Sequence, residues 1–139
     1  MIEQTYHDLM SKLSRMPAAI AQSREVHDQA VKAVKECERL SDDERSQAVI
    51  FAGGYSKLGT NDKDREYKLI ELLRNSSYYQ SLQSDLRNAE QRKVEAKRNL
   101  DNALTDFDSL RIQASLLGDL MKYSALSAAK PSSAELLDL

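Results

Sequence analysis

The chain has 139 residues, of which 30% are charged and 6% aromatic, with no Trp, four Gly and two Pro. That is a composition of long helices rather than of a sheet, and the length fits one domain. A formal net charge of −2 and a pI near 5.7 exclude a protein that is basic overall, so any nucleic-acid contact must use a local patch.

The first element expected is a short helix from Ile2 to Arg15, with Tyr6, Leu9, Met10 and Leu13 on one face. Pro17 ends it or starts the next, because Pro is tolerated in a first turn and not in an interior. A second helix should run from about Pro17 to Leu40, with a narrow seam of Val26, Ala30, Ala33, Cys37 and Leu40, and Val34 beside it. Ser41-Asp42-Asp43-Glu44 has the form of a capping box, predicting a new helix through Ala52 that buries Ala48, Val49 and Phe51. A hairpin is the competing reading of the same stretch, since Ala48–Ala52 runs into Gly53-Gly54.

Gly59-Thr60-Asn61 is the clearest break. Asn61 can cap a helix whose first turn carries Asp62 and Asp64. That helix places Tyr67, Ile70 and Leu73 on a stripe with Leu69 and Leu72 on its flank. Asn75-Ser76-Ser77 then starts the longest element. Counting Tyr79 as heptad position a, the a positions are Tyr79, Leu86, Lys93, Leu100, Phe107, Ala114 and Met121. The d positions are Leu82, Ala89, Ala96, Ala103, Leu110 and Leu117. Only Lys93 interrupts this seam. A sustained 3.5-residue repeat specifies a long helix lying along another, here ~65–70 Å at ~1.5 Å per residue. The alanines at d should let it approach the second helix closely and antiparallel. The fold class is therefore all-α: an elongated helical hairpin or coiled coil with one long C-terminal helix, oligomeric. Residues 1–124 form the helical domain and 125–139 a flexible tail.

Leu100, Phe107, Leu110, Leu117 and Met121 are assigned to the oligomer interface, because one helix pair leaves part of them uncovered. Catalytic constellations, metal-ligand spacings and cofactor motifs are not found. His7, His27 and the single Cys37 read as packing or surface residues, so neither catalysis, metal nor cofactor is expected. One Cys precludes an internal disulfide and suits the cytoplasm, and neither a signal peptide nor a membrane span is expected.

The charge cluster Arg87, Arg92, Lys93, Lys97 and Arg98 faces only Glu90 and Glu95 within its stretch. Repeated in an oligomer, it would form a basic band able to hold a phosphate backbone, with Tyr78 or Tyr79 stacking on bases. A solvated helix face with intrahelical ion pairs is the plainer reading. The tail Glu135-Leu136-Leu137-Asp138-Leu139 offers Leu136, Leu137 and Leu139 to a partner's groove, or is a disordered end.

The succession of helices, the Gly turn, Gly59-x-Asn61-x-x-x-Arg65 and the long charged helix resembles small helical proteins of phage replication and recombination gene clusters, the UvsY-type recombination mediators among them. The resemblance covers most of residues 15–123. It implies a non-enzymatic homo-oligomer that binds single-stranded DNA and helps load a recombinase in place of a single-strand-binding protein. A protein–protein adaptor or inhibitor, or a coiled-coil scaffold, without DNA contact is the alternative.

Overall fold

The computed structural model describes residues 1–129 and is helical throughout apart from two connections. Helix α1 spans Ile2–Phe51, α2 spans Asp62–Arg74 and α3 spans Ser77–Ala129, with a single 3₁₀ turn at Tyr55–Lys57. The long C-terminal helix packs on the first. The contacts divide into two units, one joining Met1–Ser23 to α3 from Asn99 onward, the other comprising Arg24–Arg98.

α1 is one helix where the sequence suggests three. Pro17 sits inside it, exposed to solvent. A proline in a helix interior forfeits one hydrogen bond and costs about 3 kcal/mol. Seam residues Leu13, Met16 and Ile20 continue on either side of it, and their burial against α3 outweighs that penalty. Ser41 is likewise no helix cap. It is a buried mid-helix residue whose hydroxyl accepts a hydrogen bond from Gln83 Nε2 of α3 at 3.2 Å. The inward positions of α1 repeat at alternating spacings of three and four: Leu9, Leu13, Met16, Ile20, then Ser23, His27, Ala30, Val34, Cys37, Ser41, Glu44 and Ala48. Val26 and Ala33, assigned to the seam from sequence, are exposed, because the true repeat runs one residue away from them.

In the unit containing the chain start, α1 and α3 run antiparallel. Leu9, Ile20 and Ala114 are buried, and the Tyr6 ring packs over Gly118, at ordinary contact distance (3.6 Å) from where a Cβ would stand. α3 continues to Ala129, so residues 125–129 are helix rather than tail. Ala125, Ala128 and Ala129 are strong helix formers, and no breaker occurs before Pro131. The remainder of the expected tail lies outside the described residues.

In the other unit, Val34, Leu82, Ala89 and Ala96 are buried. α1 ends at Phe51 in a Schellman closure: Gly54 N–H donates to Val49 O and Gly53 N–H to Ile50 O, with Gly53 at φ 90°. This settles Ala48–Phe51 as helix, and the glycines as its terminator rather than a hairpin turn. Phe51, expected in the core, is 91% exposed. The densest packing lies just beyond, where Leu58, Leu69 and Leu73 cluster with Ala48, Val49, Ala52, Tyr55 and Tyr79 against them, and Leu69 is 1% exposed.

The alanine positions leave no room for larger side chains. Ala96→Leu should lower stability by roughly 1–3 kcal/mol through overpacking, while Asn99→Leu, at an exposed position, should change it far less. Urea denaturation of both variants measures the difference, and equal tolerance would contradict the seam.

Candidate functional site

The connection between α1 and α2 is fixed by a network centred on Gly59, Asn61 and Arg65. Asn61 adopts extended backbone and its Oδ1 accepts from Asp64 N–H at 2.9 Å, capping α2. Arg65 donates from Nε to the Gly59 carbonyl at 3.2 Å, pairs with Asp62 at 3.1 Å and places its guanidinium 5.7 Å from the centre of the Tyr55 ring. Tyr55 in turn donates to Glu66 Oε1 at 3.1 Å, and Glu66 accepts Arg45 of α1 at 2.9 Å. Partial desolvation first, and the Glu66 carboxylate second, hold the Tyr55 phenol above its ordinary pKa, so it remains a donor. Gly59 is required sterically: an added Cβ would stand 2.8 Å from the Asp64 Cβ and 3.1 Å from the Arg65 amide nitrogen. The one local motif picked out of the sequence is thus the clasp that folds α2 back against the end of α1.

The five candidate cations Arg87, Arg92, Lys93, Lys97 and Arg98 are all exposed, and none joins an ion pair among the described residues. They do not share one face. At about 100° per residue, Lys93 lies on the seam, Lys97 on one flank and Arg92 on the other, while Arg87 and Arg98 occupy the outer side. Lys93 is exposed between buried Ala89 and Ala96, because its long stem carries the ammonium out past the contact. Of the two tyrosines, Tyr78 is exposed, whereas Tyr79 packs on the Leu58, Leu69 and Leu73 cluster and commits much of its ring to the core.

Leu100, Phe107, Leu110, Leu117 and Met121 are each half-buried on the seam of α3. Leu110 shares a shallow groove with Met16, and Met121 one with Met1 and Ile2, so α1 of the same chain takes up much of this surface. Further apolar side chains stand open outside this seam. Ile112, Leu116, Tyr123 and Leu126 are exposed away from the seam of α3, and Ile50, Phe51, Tyr67, Ile70 and Leu72 are exposed around the α1–α2 connection. The second group was missed because Phe51 and Leu72 sit in patterns that read as core. Leu136, Leu137 and Leu139 lie outside the described residues.

His27 is half-buried with its Nδ1 3.9 Å from Asp28, and His7 meets the Tyr6 ring edge-on. Among the described residues no cluster of His, Cys, Asp or Glu is arranged to hold a metal, and no helix is long and apolar enough to cross a membrane. The chain matches no family model, no curated protein and no solved structure.

Two substitutions test the clasp and the seam. Gly59→Ala should destabilise by about 1–3 kcal/mol, since backbone as well as side chain must yield. Lys93→Leu should raise Tm by several degrees by completing the apolar seam. Thermal melts followed by circular dichroism report both, and a lower Tm for Lys93→Leu would mean that the ammonium has a stabilising partner.

Proposed function

We propose that this chain is a non-enzymatic, oligomeric accessory protein of phage or mobile-element DNA recombination, which binds single-stranded DNA weakly and assists recombinase loading in exchange for a single-strand-binding protein. The observation that carries the reading is the set of five exposed cations between Arg87 and Arg98, free of ion pairs among the described residues and opposed locally only by Glu90 and Glu95. Free ammonium and guanidinium groups of this kind attract phosphates by releasing condensed counterions. Their spread around α3 gives each protomer a weak site, and assembly multiplies weak sites into useful affinity. Tyr78 is the aromatic open to stack on a base. Nothing in the set reads base edges, so sequence preference is slight. The recombination setting comes from the resemblance to the UvsY-type mediators.

A second reading, an adaptor or inhibitor that meets only protein, draws on the exposed apolar residues around the α1–α2 connection. Binding of a labelled single-stranded oligonucleotide separates the two. Affinity at ~50 mM salt should fall steeply as salt rises, with a log–log slope of about −0.7 per phosphate contacted. The double substitution Arg92→Ala, Arg98→Ala should weaken binding several-fold and leave the circular dichroism spectrum unchanged, as both side chains are exposed. Absence of binding at low salt rejects the DNA reading and leaves the adaptor.

A further inference from the structure

α2 carries four acidic and four basic side chains, and the clasp uses the two signs unequally. Asp62 pairs with Arg65 at 3.1 Å, and Glu66 pairs with Arg45 of α1 at 2.9 Å while accepting the Tyr55 hydroxyl at 3.1 Å. Asp64 is turned back on the loop, where it accepts the Thr60 hydroxyl at 3.0 Å. Of the cations only Arg65 is engaged. Lys63, Lys68 and Arg74 are exposed and join no ion pair among the described residues. Folding thus draws carboxylates of α2 into the clasp and leaves cations on its open side, with Glu71 as the exposed acid among them.

The open cations flank an aromatic. At about 100° per residue, Lys63, Tyr67, Ile70 and Arg74 fall within an arc of about 60°, roughly 120° from the buried Leu69 and Leu73. Lys63 lies about one turn before Tyr67 and Arg74 about two turns after it. Tyr67 is 71% exposed, against 54% for Tyr78, and Ile70 widens the ledge beside its ring. Tyr123 is equally open but has Asp119 one turn before it, where a phosphate would be repelled. From this we infer that the outer stripe of α2 is a stacking site for a single strand. One unpaired base lies on Tyr67 and Ile70, and Lys63 and Arg74 hold the phosphates to either side.

The chemistry selects this occupant. A ring with a cation at each end matches an unpaired base and its flanking phosphates, whereas a duplex hides its base faces. Tyr67 and Ile70 alone offer far less apolar surface than the ~800 Å² per partner of a standard protein interface. The site carries no group placed to read a base edge, so any base suffices.

The inference rests on the DNA-binding reading and gives it a second contact, apart from the cations of α3. A labelled single-stranded oligonucleotide at ~50 mM salt tests it on the full chain. Tyr67→Ala should weaken binding about tenfold, in line with the loss of one stacked base, while Tyr67→Phe keeps most of the affinity. The pair Lys63→Ala, Arg74→Ala should lower the log–log salt slope by about 1.4, for two phosphates released. Glu71→Gln, which removes a carboxylate beside the stripe, should tighten binding a few-fold, a gain that a merely structural role would not produce. The chain has no Trp, so Tyr67→Trp provides a single fluorophore whose emission should be quenched as the strand binds. Circular dichroism of each variant should match the wild type, as all these side chains are exposed. If the wild type binds while Tyr67→Ala keeps full affinity and Tyr67→Trp is not quenched, the α2 site is overturned and the α3 cations keep the DNA reading. If the wild type binds no oligonucleotide, both fall, and Tyr67 and Ile70 pass to a protein partner.

Discussion

The close approach of α1 and α3 over Ala89 and Ala96 is the constraint from which the rest of the Arg24–Arg98 unit follows. Both alanines are buried there, and at one end of the same contact the Ser41 hydroxyl of α1 accepts a hydrogen bond from the Gln83 amide of α3. Small side chains also bury little apolar area, so this stretch of the pair gains less per turn than a leucine seam would. Stabilisation must then come from somewhere nearby, and the structure supplies it at Leu58, Leu69 and Leu73. The Gly59, Asn61 and Arg65 clasp exists to hold α2 over that cluster. Without the turn at Gly59 and the cap at Asn61, Leu69 and Leu73 would not meet the end of α1.

The same constraint explains which parts of the fold were legible in the sequence. α3 carries its seam in apolar residues with one exception, so its period could be counted directly. α1 has an equally regular seam, but Ser23, His27, Ser41 and Glu44 occupy inward positions and Pro17 falls beside it. A polar residue at a seam position is invisible to hydrophobic periodicity, and a proline reads as a stop. Continuity of α1 is enforced from outside, by the seam of α3 running alongside in each unit. Local signals such as the capping-box pattern at Ser41 lose to that long-range term, because a cap is worth about 1 kcal/mol and a helix-length seam many times more. The Gly59-x-Asn61-x-x-x-Arg65 motif could be spotted from sequence. Its reason could not, since Tyr55, Glu66 and Arg45 enter it only through the fold.

Surface chemistry was less legible than the fold. The cations of α3 were recognisable as a cluster along the chain, but a cluster in sequence becomes a face only when spacings match the helical period. Arg87 and Arg98, eleven residues apart, come back to the same side, whereas Arg92 and Lys97 flank opposite edges of the seam. Phe51 misleads for a related reason: a large apolar residue at the end of a periodic run reads as core, and only the fold shows that the last turn presents it to solvent.

Two kinds of open surface therefore coexist in the Arg24–Arg98 unit, one charged and dispersed, the other apolar and concentrated, and their combination has a physical consequence for the proposed activity. A single set of five cations spread around a helix can present only part of itself to one strand. Assembly of two protomers, as proposed, would bring a second set onto the same particle without altering either. If a strand can reach both, the second contact becomes intramolecular, and affinity rises by the effective concentration rather than by a sum. The salt dependence would steepen together with it, because each further phosphate neutralised adds about 0.7 to the slope. If the two sets point apart, the slope of the dimer equals that of the protomer. The slope at concentrations above and below the dimer midpoint thus distinguishes an assembly that aligns its cations from one that merely carries them.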